Sequence, residues 1–139
     1  MTAVLVCTHG DSARELVKSA EMICGPQSNW QTVSFEVGMD PSQLQARIQN
    51  AIAELSVEDG LLCLTDLKGG TPFNVLVRMS ESLNLEILTG VNIPILLEAA
   101  LLPTNTTASE AATHLLRTGQ QSMFIFDKAA MAATNDDDF

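Results

Sequence analysis

Tyrosine is absent from this 139-residue chain and tryptophan occurs once, at Trp30, so the flat side chains that stack on bases or sugar rings are scarce. A direct grip on a sugar is not expected. Cations are few as well: seven Lys and Arg stand against seventeen Asp and Glu, a formal charge of −10. A polyanion would be repelled without a local basic patch, and none is visible, so nucleic acid is not an expected partner. The three cysteines, Cys7, Cys24 and Cys63, are odd in number and show no CxxC spacing, which argues against a disulfide framework and against zinc. With only two histidines, His9 and His114, a metal-dependent phosphatase has too few ligands. No cofactor and no metal are expected. No apolar run approaches the ~18 residues of a membrane span, and Ala3 to Cys7 is too short for a signal-peptide core and has no basic residues ahead of it. The expected location is cytoplasmic.

What is present is the balance of a globular protein, 46% hydrophobic and 17% charged, in a length that suits one domain at roughly 100–200 residues each. That domain is expected over residues 1–128, followed by an acidic, disordered tail over 129–139 that includes Asn135 to Asp138. Val4 to Thr8 reads as a β-branched strand, and Ser12, Leu16, Ala20 and Ile23 recur behind it at helical spacing until Gly25-Pro26. Val33 to Val37 is a weaker strand. Asp40-Pro41 supplies an N-cap and a first-turn proline to a helix with Leu44, Ile48, Ala51, Ile52 and Leu55 on one face. The continuous apolar run Leu61 to Thr65 suits a strand buried on both faces. Thr71 can then cap, and Pro72 begin, a helix to about Leu83. Glu86 to Thr89 reads as strand, Pro94 to Leu101 as helix, Ser109 to Arg117 as helix with Gly119 behind it, and Met123 to Phe126 as a last short strand. The alternation predicts an α/β fold with a doubly wound, mainly parallel sheet, for which the crossover rule leaves few topologies; the expected order is 2-1-3-4 with a short C-terminal edge strand.

In such sheets ligands gather beyond the carboxyl ends of the strands where the winding reverses. His9 and Asp66 stand at two such ends. An imidazole is a competent phosphoryl acceptor because one ring nitrogen keeps its lone pair near neutral pH. A carboxylate that accepts the other ring N–H fixes the tautomer and stabilises the charge that develops, and Asp66 is the candidate. Gly69-Gly70 lets backbone approach an anion, and the helix entry at Thr71-Pro72 offers free N–H groups and a positive dipole end. Each feature has a plainer reading when taken singly: a polar loop histidine, an aspartate capping the next turn, an ordinary helix entry. Their convergence on one crevice is what points to chemistry. His114 falls within a helix, with no carboxylate at a spacing that suggests a second centre. Lys68, beside the glycine pair, is either a solvated charge or a contact to a phosphoryl group or partner.

Three motifs occur in order: Val4-Leu5-Val6-Cys7-Thr8-His9-Gly10, then Leu64-Thr65-Asp66 with Gly69-Gly70-Thr71-Pro72-Phe73-Asn74, then Thr89-Gly90-Val91-Asn92-Ile93-Pro94. Together they resemble the IIA component of the mannose family of the bacterial sugar phosphotransferase system, over about residues 2 to 127. The resemblance implies that phospho-HPr phosphorylates His9 and that the group passes to a IIB component, with the membrane components IIC and IID acting downstream in sugar uptake. It assigns Asp66 to the imidazole and Thr71 to the surroundings of the phosphoryl group, beside Gly10, Gly69 and Gly70. It also implies a homodimer with the last strand, Met123 to Phe126, exchanged between subunits. Lys68 departs from the mannose type, which has an aromatic residue there, and since no IIB domain follows Phe126, IIB is expected on a separate chain. Two other readings stay open: a phosphotransferase subunit serving dihydroxyacetone kinase, and a regulatory domain whose histidine is phosphorylated only to alter binding.

Overall fold

A computed structural model describes residues 1–132. Its elements run β1 (Ala3–His9), α1 (Ser12–Cys24), β2 (Trp30–Phe35), α2 (Pro41–Ala53), β3 (Leu61–Thr65), α3 (Thr71–Met79), β4 (Glu86–Thr89), α4 (Ile93–Ala100), α5 (Ala108–Gln121) and α6 (Lys128–Ala132). The four strands form one parallel sheet of order β2-β1-β3-β4, the expected order. Beginning in the middle and winding outward both ways puts the reversal between β1 and β3.

Strand character follows position in the sheet. All five residues of β3 are buried, as are the first six of β1, because helices cover both faces of these central strands. On one face Val4, Val6, Leu62 and Leu64 pack with Ala13 and Val17 of α1, Ile95 and Leu96 of α4, and Leu115 of α5. On the other, Leu5, Cys7 and Cys63 meet Leu44 and Ile48 of α2 and Val75, Leu76 and Met79 of α3. Fully burying one such leucine stabilises the fold by about 1.5–3 kcal/mol. Helix entries are fixed locally: Asp40 accepts the Gln43 N–H at 2.8 Å while the Gln43 side chain accepts the Asp40 N–H at 2.9 Å, and Asn92 accepts from Ile95 at 2.9 Å ahead of α4.

Several boundaries differ from the sequence reading. Strand β2 spans Trp30–Phe35, where the sequence suggests Val33 to Val37. Helix α3 is capped at Gly70, with Thr71 already helical and no side-chain cap bond, and it ends at Met79 rather than near Leu83; Ser80 and Ser82 there are residues whose hydroxyls compete for backbone carbonyls. Helix α5 continues through Gly119 to Gln121. That glycine is not a terminator: a Cβ on it would lie 2.8 Å from Ile95 Cδ1, so its smallness lets α5 lie close on α4. Met123 to Phe126 joins no strand among the described residues. A strand exists only by its ladder, and this chain's own sheet offers the segment none; all four side chains are exposed, Ile125 to 92%. The helix Lys128–Ala132 crosses the expected boundary between domain and tail at residue 128, and the acidic run Asn135 to Asp138 lies outside the described residues.

Candidate functional site

Parallel pairing of β1 with β3 sets Cys7 opposite Thr65, so the chain leaves both strands side by side and His9 and Asp66 emerge together. One carboxylate oxygen, Asp66 Oδ2, accepts the His9 backbone N–H at 3.1 Å and lies 2.9 Å from His9 Nδ1. A carboxylate only accepts, so Nδ1 carries the proton and Nε2 is the ring nitrogen left open. No N–H of the β3–α3 loop or of α3 reaches the Asp66 side chain among the described residues, and Asp66 Oδ1 is buried without a partner. A residue present to cap the next turn would hold those N–H groups. Here both bonds of the carboxylate go to one histidine, and the buried Oδ1 is an expense that scaffolding alone does not explain.

The remaining expected residues fall into two groups. Gly70 lies against the imidazole: a Cβ at this position would be 2.8 Å from His9 Cε1 and 3.5 Å from Nε2. Its own N–H is taken by the Leu67 carbonyl at 3.1 Å. Gly69 takes φ +83° in the turn and its carbonyl accepts Asn74 Nδ2 at 3.0 Å, which braces the loop from the first turn of α3. Thr71 opens that helix, and among the described residues neither its N–H nor that of Phe73 has a hydrogen-bond partner; these are the donors an anion would meet. Gly10, at φ +61°, gives its N–H to the Phe35 carbonyl at 2.8 Å, so it turns the chain away from β1 and has no N–H left for an anion. Of the nearby cations, Arg14 is paired with Asp11 and Glu15 and Arg47 with Glu36. Lys68 is exposed and makes no ion pair among the described residues.

The family of fructose IIA components of the phosphotransferase system matches residues 3–116. The chain belongs to the mannose family of phosphotransferase-system IIA components. The fructose-specific EIIA component of Bacillus subtilis strain 168 is 32% identical over 123 residues, 88% of this chain and 84% of that protein. The mannose-specific EIIAB component of Escherichia coli strain K12 is 36% identical over 100 residues, 71% of this chain but 31% of the relative, so the chain spans about a third of that protein's length. Among solved structures, the mannose/sorbose specific IIA subunit from Enterococcus faecalis superposes with a TM-score of 0.81 at 31% identity, covering 91% of this chain and 95% of that one.

Two features of this IIA chain escaped the sequence reading. Phe35, the last residue of β2, packs edge-on to the His9 ring, with centroids 5.7 Å apart and planes at 76°. The sequence suggests a β2 that runs on to Val37, two residues past its actual end, so the registered pair His9 and Phe35 that closes β1 and β2 could not be read from it. The second is a correction: His114 does have a carboxylate, Glu98 of α4, at 2.8 Å from its Nε2. Residues sixteen apart meet because α4 and α5 pack together, a contact that spacing along one helix cannot predict. The apolar groove between α2 and α3, lined by Ile52, Met79 and Leu83, lies at the other end of α3 from His9. No helix among the described residues is long and apolar enough to cross a membrane.

Proposed function

We propose that this IIA component is a cytoplasmic phosphoryl carrier that takes phosphate from phospho-HPr on His9 and hands it to a IIB component, upstream of the membrane components IIC and IID in sugar uptake. The observation that carries the reading is the use of Asp66: its carboxylate serves His9 alone, and the imidazole therefore presents Nε2 beside a helix N-terminus that no side chain caps. In the transfer, Nε2 attacks phosphorus as the P–N bond to the donor imidazole breaks. A donor ring protonated on its other nitrogen leaves as neutral imidazole. The His9 ring then carries the positive charge, with its Nδ1–H held on Asp66. The phosphoryl oxygens face the free N–H groups of Thr71 and Phe73, which need not reorganise to receive them. Passing the group to IIB is the same exchange in reverse. No enclosed pocket is required, since donor and acceptor are themselves protein surfaces.

Assembly is part of the proposal. The exposed apolar run Met123 to Phe126 and the outer edge of β4, unpaired among the described residues, complement each other between two copies: the run would gain a ladder and the sheet would lose an open edge. Sedimentation equilibrium should give a dimer, and a monomer of ~15 kDa at micromolar concentration would contradict the exchange. The carrier role is tested by incubating the protein with phosphorylated HPr and locating the product by mass spectrometry. An acid-labile, base-stable phosphoramidate on His9 is expected.

A further inference from the structure

The hydrogen bond to Asp66 holds Nδ1 of the His9 imidazole, but one hydrogen bond is soft and leaves the ring room to rock. The last torsion of a histidine side chain joins sp³ and sp² atoms and has broad minima, and the His9 side chain is 44% exposed, so much of the ring has no packing to hold it. Two contacts remain. Gly70 approaches the Cε1–Nε2 edge so closely that no side chain fits between them, and Phe35 meets the ring edge-on at 5.7 Å. Phe35 is itself well anchored: it ends β2 in register with His9, its carbonyl holds the Gly10 N–H, and its ring packs against the core that includes Cys7 and Leu44.

We propose that Phe35 is a positioning residue for His9: with Gly70 it forms a slot that holds the imidazole plane so that Nε2 points out of the crevice along the line a donor must approach. This rests on His9 being the phosphoryl acceptor. Phosphoryl transfer needs donor nitrogen, phosphorus and acceptor nitrogen roughly in line, and a ring that rocks within the give of its Nδ1 hydrogen bond satisfies that condition only part of the time. A misplacement of about 1 Å can cost a reaction ~100-fold; loosening one wall of the slot, with Asp66 still in place, should cost less.

The test uses the full-length protein and the variants Phe35→Leu, which keeps apolar bulk but removes the ring, and Phe35→Tyr, which keeps the ring. In the unphosphorylated protein the His9 Cε1–H proton resonance should show a ring-current shift that Phe35→Leu abolishes and Phe35→Tyr retains. With phosphorylated HPr, Phe35→Leu should lower kcat about tenfold with KM little changed, and Phe35→Tyr should restore kcat. A Phe35→Leu protein that transfers at the parent rate overturns the proposal, as does a kcat loss that Phe35→Tyr fails to rescue. If the parent protein accepts no phosphate while the resonance still responds to Phe35, the carrier reading fails and the slot remains as a ring-holding contact.

Discussion

The chain has two histidines and each is bonded to a carboxylate, His9 to Asp66 at 2.9 Å and His114 to Glu98 at 2.8 Å, with similar side-chain exposures of 44% and 48%. By pair geometry alone they are equivalent. They differ in which nitrogen is engaged and in what surrounds the other. Asp66 holds Nδ1 and leaves the outer nitrogen, Nε2, beside a helix N-terminus and a glycine; Glu98 holds Nε2 and leaves Nδ1, which lies close to the histidine's own backbone on the flank of α5. Asp66 also binds the His9 main chain, whereas Glu98 joins two helix surfaces by a single contact. A His–carboxylate pair thus orients a ring, and only its setting at a strand end turns that orientation toward an incoming group.

The largest effect expected from this contrast is on phosphorylation itself. His9→Ala should abolish labelling by phospho-HPr, and His114→Ala should leave it intact. Intact labelling of the His9→Ala protein would end the carrier hypothesis and leave the two histidines indistinguishable in function. Next are their carboxylates. Asp66→Asn keeps size and a hydrogen bond but removes the charge that stabilises the loaded ring, so transfer should slow by roughly 10²-fold or more while the fold is retained. Glu98→Gln should not change the rate. If Asp66→Asn instead melted ~10 °C lower and transferred at the parent rate, Asp66 would be a structural residue.

Much of this setting is legible in the sequence, and the parts that are not have a common cause. Strand ends can be read from a β-branched run that stops at His9 and an apolar run that stops at Asp66, and the alternation of strand and helix leaves only a few sheet orders, the observed one among them. Side-by-side emergence of those two residues is then a matter of topology. Contacts between elements distant in sequence are a different matter. The edge of Phe35 against His9, the bond from Glu98 to His114 and the closeness of Gly119 to Ile95 depend on register and helix packing, which composition and periodicity do not specify. Met123 to Phe126 shows the reverse failure: its apolar pattern is that of a strand, but a ladder needs a partner, and a single chain's sequence does not reveal where that partner comes from.

Two glycines sharpen the contrast between the regions, because an added Cβ meets a neighbour at 2.8 Å in both cases. At Gly70 that neighbour is the half-exposed tip of His9, which can swing away. Gly70→Ala should therefore fold nearly as well as the parent but turn the ring from its line, with about a tenfold loss of transfer rate. At Gly119 it is Ile95, buried to 3% exposure, which has nowhere to go. Gly119→Ala should cost about 1–3 kcal/mol in stability and leave transfer by the folded protein unchanged. Thermal melts and transfer assays on the two variants give opposite patterns if the regions are as distinct as they look. A Gly119→Ala protein that was slow yet stable would couple α5 to the site.

The smallest effect concerns the cysteines. Cys7 lies two residues before His9 on β1, and burial, with the nearby Asp66 charge as a lesser cause, pushes its thiol up to about 12; burial pushes Cys63 up as well. The thiolate is the species that alkylates, and at pH 8 a thiol titrating near 12 is ionised to only about one part in 10⁴, against roughly a quarter for a free cysteine. Both sulfurs are also closed to solvent. Cys24, half-buried at the end of α1, lacks that degree of enclosure. Iodoacetamide at pH 8 should therefore modify Cys24 alone in the folded protein, and His9 in the modified protein should accept phosphate at the parent rate, since the C-terminus of α1 lies at the other end of the strands from His9. As pH rises past about 9 the unfolded chain ionises its thiols while the folded chain cannot, so stability is full below that pH and declines toward 12. Rapid alkylation of Cys7 at pH 8 would mean that the end of β1 opens readily, and that the rigid strand end invoked to aim His9 does not exist in solution.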